Sequence, residues 1–68
     1  MPIVTVQMWQ GRTREVKCEL ISGISEVVCR VLKVPRSAVC VILQEIPREN
    51  WGENGRPADA QSESPPAT

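Results

Sequence analysis

In this chain of 68 residues, two short runs of β-branched residues flank one long stretch of helical periodicity, leaving room for little else. Residues 3–9, Ile-Val-Thr-Val-Gln-Met-Trp, put Val4, Val6 and Met8 on one face of a strand and Ile3, Thr5, Gln7 and Trp9 on the other. Both faces are partly apolar, as in a strand covered on two sides. From Arg14 to Lys33 the spacing becomes helical, with Val16, Leu20, Ile24, Val27, Val28 and Val31 three and four residues apart. Thr13 is placed to cap this helix, and Glu15 suits its positive end. With Ile21 and Leu32 added, the apolar arc spans about 160°, wider than the stripe of about 100° that one sheet face needs. A second apolar neighbour is therefore expected, and another subunit is the natural candidate. Gly23 in the helix interior fits either a close backbone approach or an exposed position. Pro35 ends the helix, and residues 39–46, Val-Cys-Val-Ile-Leu-Gln-Glu-Ile, read as a second strand that is again apolar on both faces.

Strand, helix, strand defines a small α/β fold, a β-α-β unit with parallel strands and a right-handed crossover. Asn54-Gly55, within Asn50-Trp-Gly-Glu-Asn-Gly55, predicts a short C-terminal hairpin or turn. Residues 57–68 lack large apolar groups and are expected to form a mobile tail, which places the folded domain at 1–56. One domain this small has a thin core, and oligomerisation is the simplest remedy.

Composition removes whole classes of function. Eight Lys and Arg balance eight Asp and Glu, so there is no basic footprint for nucleic acid or an anionic membrane. The apolar runs fall well short of the roughly 20 residues of a membrane span. The first residues lack the charged start and apolar stretch of a signal peptide. Cys18, Cys29 and Cys40 fit no zinc-site spacing, and an odd number without a secretion signal predicts reduced thiols in a cytoplasmic protein. With no histidine, Ser-His-Asp and Cys-His systems are excluded.

A base must then come from elsewhere, and residue 2 offers one. Methionine before proline is normally removed, exposing a secondary amine. A terminal amine titrates at about 7.7–8.0 when unperturbed. Apolar surroundings or a nearby cation lower that value, giving a general base near neutrality without histidine. Arg12 follows Gly11 at the strand-to-helix turn, and Trp51 supplies an apolar wall in the C-terminal turn.

Pro2, Gly11-Arg12-Thr13, Val34-Pro35 and Asn50-Trp51-Gly52 in a β-α-β chain of this length resemble the 4-oxalocrotonate tautomerase family, from Pro2 to about Gly55. The resemblance implies protomers that pair their sheets, three such pairs forming a hexamer with active sites at subunit boundaries, and no cofactor or metal. Pro2 would match the catalytic amino-terminal proline that moves a proton in an enol–keto or dienol–enone pair. Arg12 would match the arginine that holds a carboxylate of a small substrate, for which a guanidinium is suited. Trp51 stands where the family has phenylalanine lining the pocket. Trp9 is absent from the family pattern and would narrow the pocket or pack between subunits.

Two departures shape the functional reading. Cys40 occupies the second-strand position of the arginine that stabilises the developing dienolate, and such a donor is worth about 3–4 kcal/mol. Cys40 would be a pocket thiol or a small apolar filler, while Arg36 lies four residues earlier and could partly compensate. Glu53 falls where the related trans-3-chloroacrylic acid dehalogenase carries its water-activating residue, although that enzyme has a further arginine where this chain has Trp9. Glu53 as base and protonated Pro2 as acid could add water to a 3-haloacrylate-like acid, whereas a glutamate in a turn is otherwise simply solvated. A third reading is a non-catalytic subunit of a hetero-oligomer.

Overall fold

The computed structural model describes residues 1–63. Strand β1 covers Ile3–Trp9, helix α1 Arg14–Leu32 and strand β2 Cys40–Ile46. A short hairpin of β3, Gly52–Glu53, and β4, Arg56–Pro57, leads into helix α2, Ala58–Glu63.

Strands β1 and β2 pair in parallel, from Ile3 opposite Cys40 to Trp9 opposite Ile46. One further hydrogen bond extends the ladder at each end. The Cys40 N–H donates to the Pro2 carbonyl at 3.0 Å, and the Gln10 N–H donates to the Ile46 carbonyl at 3.1 Å. Val4, Val6 and Met8 are half-buried on the face toward α1, together with Val41, Leu43 and Glu45. Ile3, Thr5, Gln7, Ile42 and Gln44 are exposed on the other face, where the Gln7 amide donates to Gln44 at 3.1 Å.

Helix α1 starts and stops as its sequence dictates. The Thr13 hydroxyl accepts from the Val16 N–H at 3.2 Å, satisfying one of the unpaired donors of the first turn. At the other end Lys33 turns left-handed at φ 58°, its N–H closing on the Cys29 carbonyl. Gly11 makes the preceding turn at φ 119°, a conformation that disfavours any side chain. In the hairpin Asn54 at φ 55° and Gly55 at φ 75° supply the two positive φ values of a tight β-turn.

An ion pair ties α1 to the sheet, with Lys17 Nζ 2.5 Å from Glu45 Oε2. Lys17, by hydrogen bond and charge, holds the Glu45 carboxyl below its ordinary value of 4.5 against the opposing effect of burial, and the Gly11 N–H adds to the lowering. A carboxyl depressed in the folded state stabilises the fold above its unfolded pKa, and that contribution fades as pH falls through the lower folded value. Thermal melts of Glu45→Gln should therefore lie below those of the parent at neutral pH and converge with them in acid, below 4.5. An equal gap at pH 7 and in acid would remove the ion pair from this account.

Beyond residue 56 the ordered contacts continue, since Pro57 pairs with Gly52 and the Ala58 N–H donates to the Trp51 carbonyl at 2.8 Å. Ala58, 4% exposed, is the one fully buried residue among those described. Pro57 completes β4, and Ala58–Glu63 form α2. The part of the tail beyond Glu63 lies outside the described residues. A single 3-10 turn, Arg36–Ala38, separates Pro35 from β2.

The apolar arc of α1 is only half used. Leu20, Ile24 and Val28 are half-buried, but Val16, Val27, Val31 and Leu32 are 45%, 49%, 61% and 56% exposed. Ile3 and Ile42, on the outer sheet face, are also exposed. The radius of gyration is 15.9 Å, against about 11 Å for a compact chain of this length. The described residues of a lone protomer form no closed core. None of them comes within 4 Å of a Cβ placed at Gly23, so its absent side chain has no explanation among these residues.

Candidate functional site

Parallel pairing divides the candidate residues between two ends of the sheet. At the end where both strands begin, Pro2 is half-buried and its carbonyl is held by the Cys40 N–H. The exposed turn carrying Arg36 leads into β2 at this same end. Trp9, Arg12, Trp51 and Glu53 lie at or just beyond the end where both strands finish. The seven residues of β1 separate the two groups, by about 23 Å at roughly 3.3 Å per residue. No single protomer can apply Pro2 and its own Arg12 to one small molecule.

The far end is the richer in side-chain contacts. The Trp9 and Trp51 rings meet edge to face, with centroids 6.0 Å apart and planes at 82°. The Arg48 guanidinium lies 4.4 Å above the centre of Trp9, a cation–π contact. Trp51 Nε1 donates to Glu53 Oε2 at 3.1 Å, so this carboxylate is oriented by the indole and is not merely solvated. Trp9 Nε1 is buried without an acceptor among the described residues, an unusual state for a polar group. Beside these rings a cleft of about 150 Å³ is lined by Trp9, Gln10, Gly11, Arg12 and Arg48.

Each element places its own part of this cluster. Gly11 turns the chain sharply after β1, leaving Arg12 exposed just before the Thr13 cap. Pro47 and the 3-10 turn Arg48–Asn50 fold the exit of β2 back over the end of β1, which puts Arg48 on Trp9. The tight Asn54-Gly55 turn then holds Glu53 two residues from Trp51. Sequence reasoning singled out Arg12, Trp9, Trp51 and Glu53 and passed over Arg48. No spacing marks Arg48, because its partner lies 39 positions earlier and meets it only through strand pairing.

Fold and cluster together describe a β-α-β protomer with a chemically equipped pole at each end of its sheet. Residues 2–60 match the family described as "Tautomerase enzyme". A probable tautomerase of Ralstonia nicotianae is 40% identical over 65 residues, covering 96% of this chain and 93% of that one. The 2-hydroxymuconate tautomerase of Stutzerimonas stutzeri is 38% identical over 60 residues, covering 88% and 95%. Among solved structures, TomN, a 4-oxalocrotonate tautomerase homologue of the tomaymycin biosynthetic pathway, superposes with a TM-score of 0.90 at 30% identity, covering 94% of this chain and 98% of its own. A heterohexameric 4-oxalocrotonate tautomerase of Chloroflexus aurantiacus gives 0.83 at 30% identity, covering 90% and 98%. The chain belongs to the tautomerase superfamily, in its 4-oxalocrotonate tautomerase-like family.

Proposed function

We propose that this protein is a tautomerase in which Pro2, exposed by removal of Met1, moves a proton within an enol–keto or dienol–enone pair of a small carboxylated substrate. The observation that carries the proposal is the division of its residues between two ends of one parallel sheet. Two protomers running in opposite directions would place the Pro2 and Cys40 pole of one against the Arg12, Trp9 and Trp51 pole of the other. The exposed Ile3, Ile42, Val27, Val31 and Leu32 supply the apolar surface for such an assembly, and a hexamer is the form the family resemblance favours. In this site Pro2 is the base and then the acid, Arg12 binds a carboxylate, and Trp51 excludes water and disfavours the charged amine. With Cys40 at the second-strand position, the developing dienolate loses a cationic donor on that side, so turnover should be slower than in relatives that keep an arginine there.

The test is covalent. A propynoate electrophile should label the native protein once, on the amine of Pro2, as located by mass mapping. Ultraviolet turnover of 2-hydroxymuconate should fall in step with labelling. A label elsewhere, or full activity after labelling of Pro2, would overturn the assignment.

The orientation of Glu53 by Trp51 favours a second reading, in which Glu53 activates water and protonated Pro2 donates the proton during hydration of a 3-haloacrylate-like acid. Halide release from 3-chloroacrylate, lost in Glu53→Gln, would support that reading, while absence of release from the parent protein would remove it. Cys40 favours a third, in which the chain is a non-catalytic subunit of a hetero-oligomer, as heterohexamers occur in the family. Activity that appears only on mixing with a second subunit of similar size would distinguish it.

A further inference from the structure

The geometry points to Arg48 as a second substrate-binding residue, its guanidinium and that of Arg12 gripping one carboxylate of the substrate in the cleft beside Trp9. This inference rests on the reading of the protein as an enzyme of small carboxylated substrates.

The first support is placement. Arg12 and Arg48 come from different loops, one after β1 and one after β2, yet both line the same cleft of about 150 Å³. Trp9, Gln10 and Gly11 complete its wall. An anion bound in this cleft would therefore meet positive charge supplied by two separate loops.

The second is the state of the two cations. Among the described residues neither is joined to a carboxylate, and the salt bridge formed by Lys17 and Glu45 lies between α1 and β2. Both side chains are exposed and able to receive a ligand.

The third is how Arg48 is held. Its guanidinium carbon lies 4.4 Å from the centre of the Trp9 ring. A cation–π contact is electrostatic and does not need the N–H donors to bond an oxygen, so the ring restrains the cation and leaves donors for a ligand. A carboxylate offers two oxygens with about four acceptor sites, enough for donors from two guanidiniums. Trp9 thus acts as the platform for a cation supplied from the exit of β2. The charge gathered here also sits at the opposite pole from Cys40, so it strengthens carboxylate binding and leaves the missing dienolate donor unreplaced.

Binding and turnover can be read separately. Calorimetric titration of the intact oligomer with adipate, a saturated dicarboxylate that cannot tautomerise, should show binding, and adipamide should bind at least tenfold more weakly. Arg48→Gln should weaken adipate at least tenfold and raise the KM for 2-hydroxymuconate by a similar factor, with a smaller fall in kcat. Arg48→Lys should recover part of the loss, since it keeps the charge without the planar fork. Trp9→Leu should shift KM in the same direction with both arginines intact. Size-exclusion profiles identify any variant that has lost its assembly, and for such a variant Arg48→Lys carries the comparison. Adipate affinity and KM unchanged in Arg48→Gln, or equal binding of adipate and adipamide by the parent, would overturn the assignment of Arg48. If adipate binds through Arg48 but no dienol acid is turned over, the tautomerase reading fails and the carboxylate site stands.

Discussion

Pro2→Ala is expected to lower kcat toward 2-hydroxymuconate by about 10²- to 10⁴-fold, the range for removal of a positioned general acid–base group. The chain contains no histidine to take over the proton transfer. The variant should keep its fold. Residue 2 joins the sheet through its carbonyl, which accepts from the Cys40 N–H at 3.0 Å and is present in alanine as in proline. Alanine at residue 2 also permits methionine removal, so an amine remains but as a primary one with a free backbone torsion. The pyrrolidine ring of proline locks that torsion, and its loss should appear in kcat more than in KM. Full activity in Pro2→Ala would sink the proline mechanism, as would intact mass showing Met1 retained on active native protein. Arg12→Ala should do the reverse, raising KM chiefly.

The second large effect concerns assembly. Ile42→Asp should abolish the proposed assembly and, with it, most of the cooperative thermal transition. Ile42 is 46% exposed on the outer sheet face and Ile3 62%, so in a single chain an aspartate there would be harmless. In an assembly that covers this face, the carboxylate would be buried without a partner, at a cost of about 3–5 kcal/mol for each copy. With Ala58 the one fully buried residue among those described, little would hold the separated chain together. Sedimentation velocity at micromolar concentration and circular dichroism melts measure both consequences. An Ile42→Asp protein that sediments and melts like the parent would show that this face is open to solvent. Ile42→Val, which keeps the apolar contact, should stay assembled.

Particular residues show how far local pattern reached. Thr13 as cap, Pro35 as stop and Asn54-Gly55 as hairpin turn all follow from short-range chemistry, and all are observed. The excess width of the apolar arc on α1 was equally readable, since it needs only the angle between successive side chains, and the exposed Val27, Val31 and Leu32 now give it a location. Ala58 escaped notice because one methyl carries no periodic signal. Glu53 was legible as a residue but not as an oriented group, since its bond from Trp51 depends on how tightly the hairpin turns.

The order of strand, helix and strand, the parallel pairing it forces, the turn residues and the candidacy of Pro2 and Arg12 belong to the sequence by itself. They depend on repeat, torsion and side-chain chemistry, which act within a few positions of one another. Tertiary structure alone decided that Cys40 joins Pro2 at one end of the sheet and that Trp51 meets Trp9 at the other, because parallel strands bring like ends together. It alone placed Arg48 on Trp9, because the exit of β2 meets the end of β1 only once the register from Ile3–Cys40 to Trp9–Ile46 has formed.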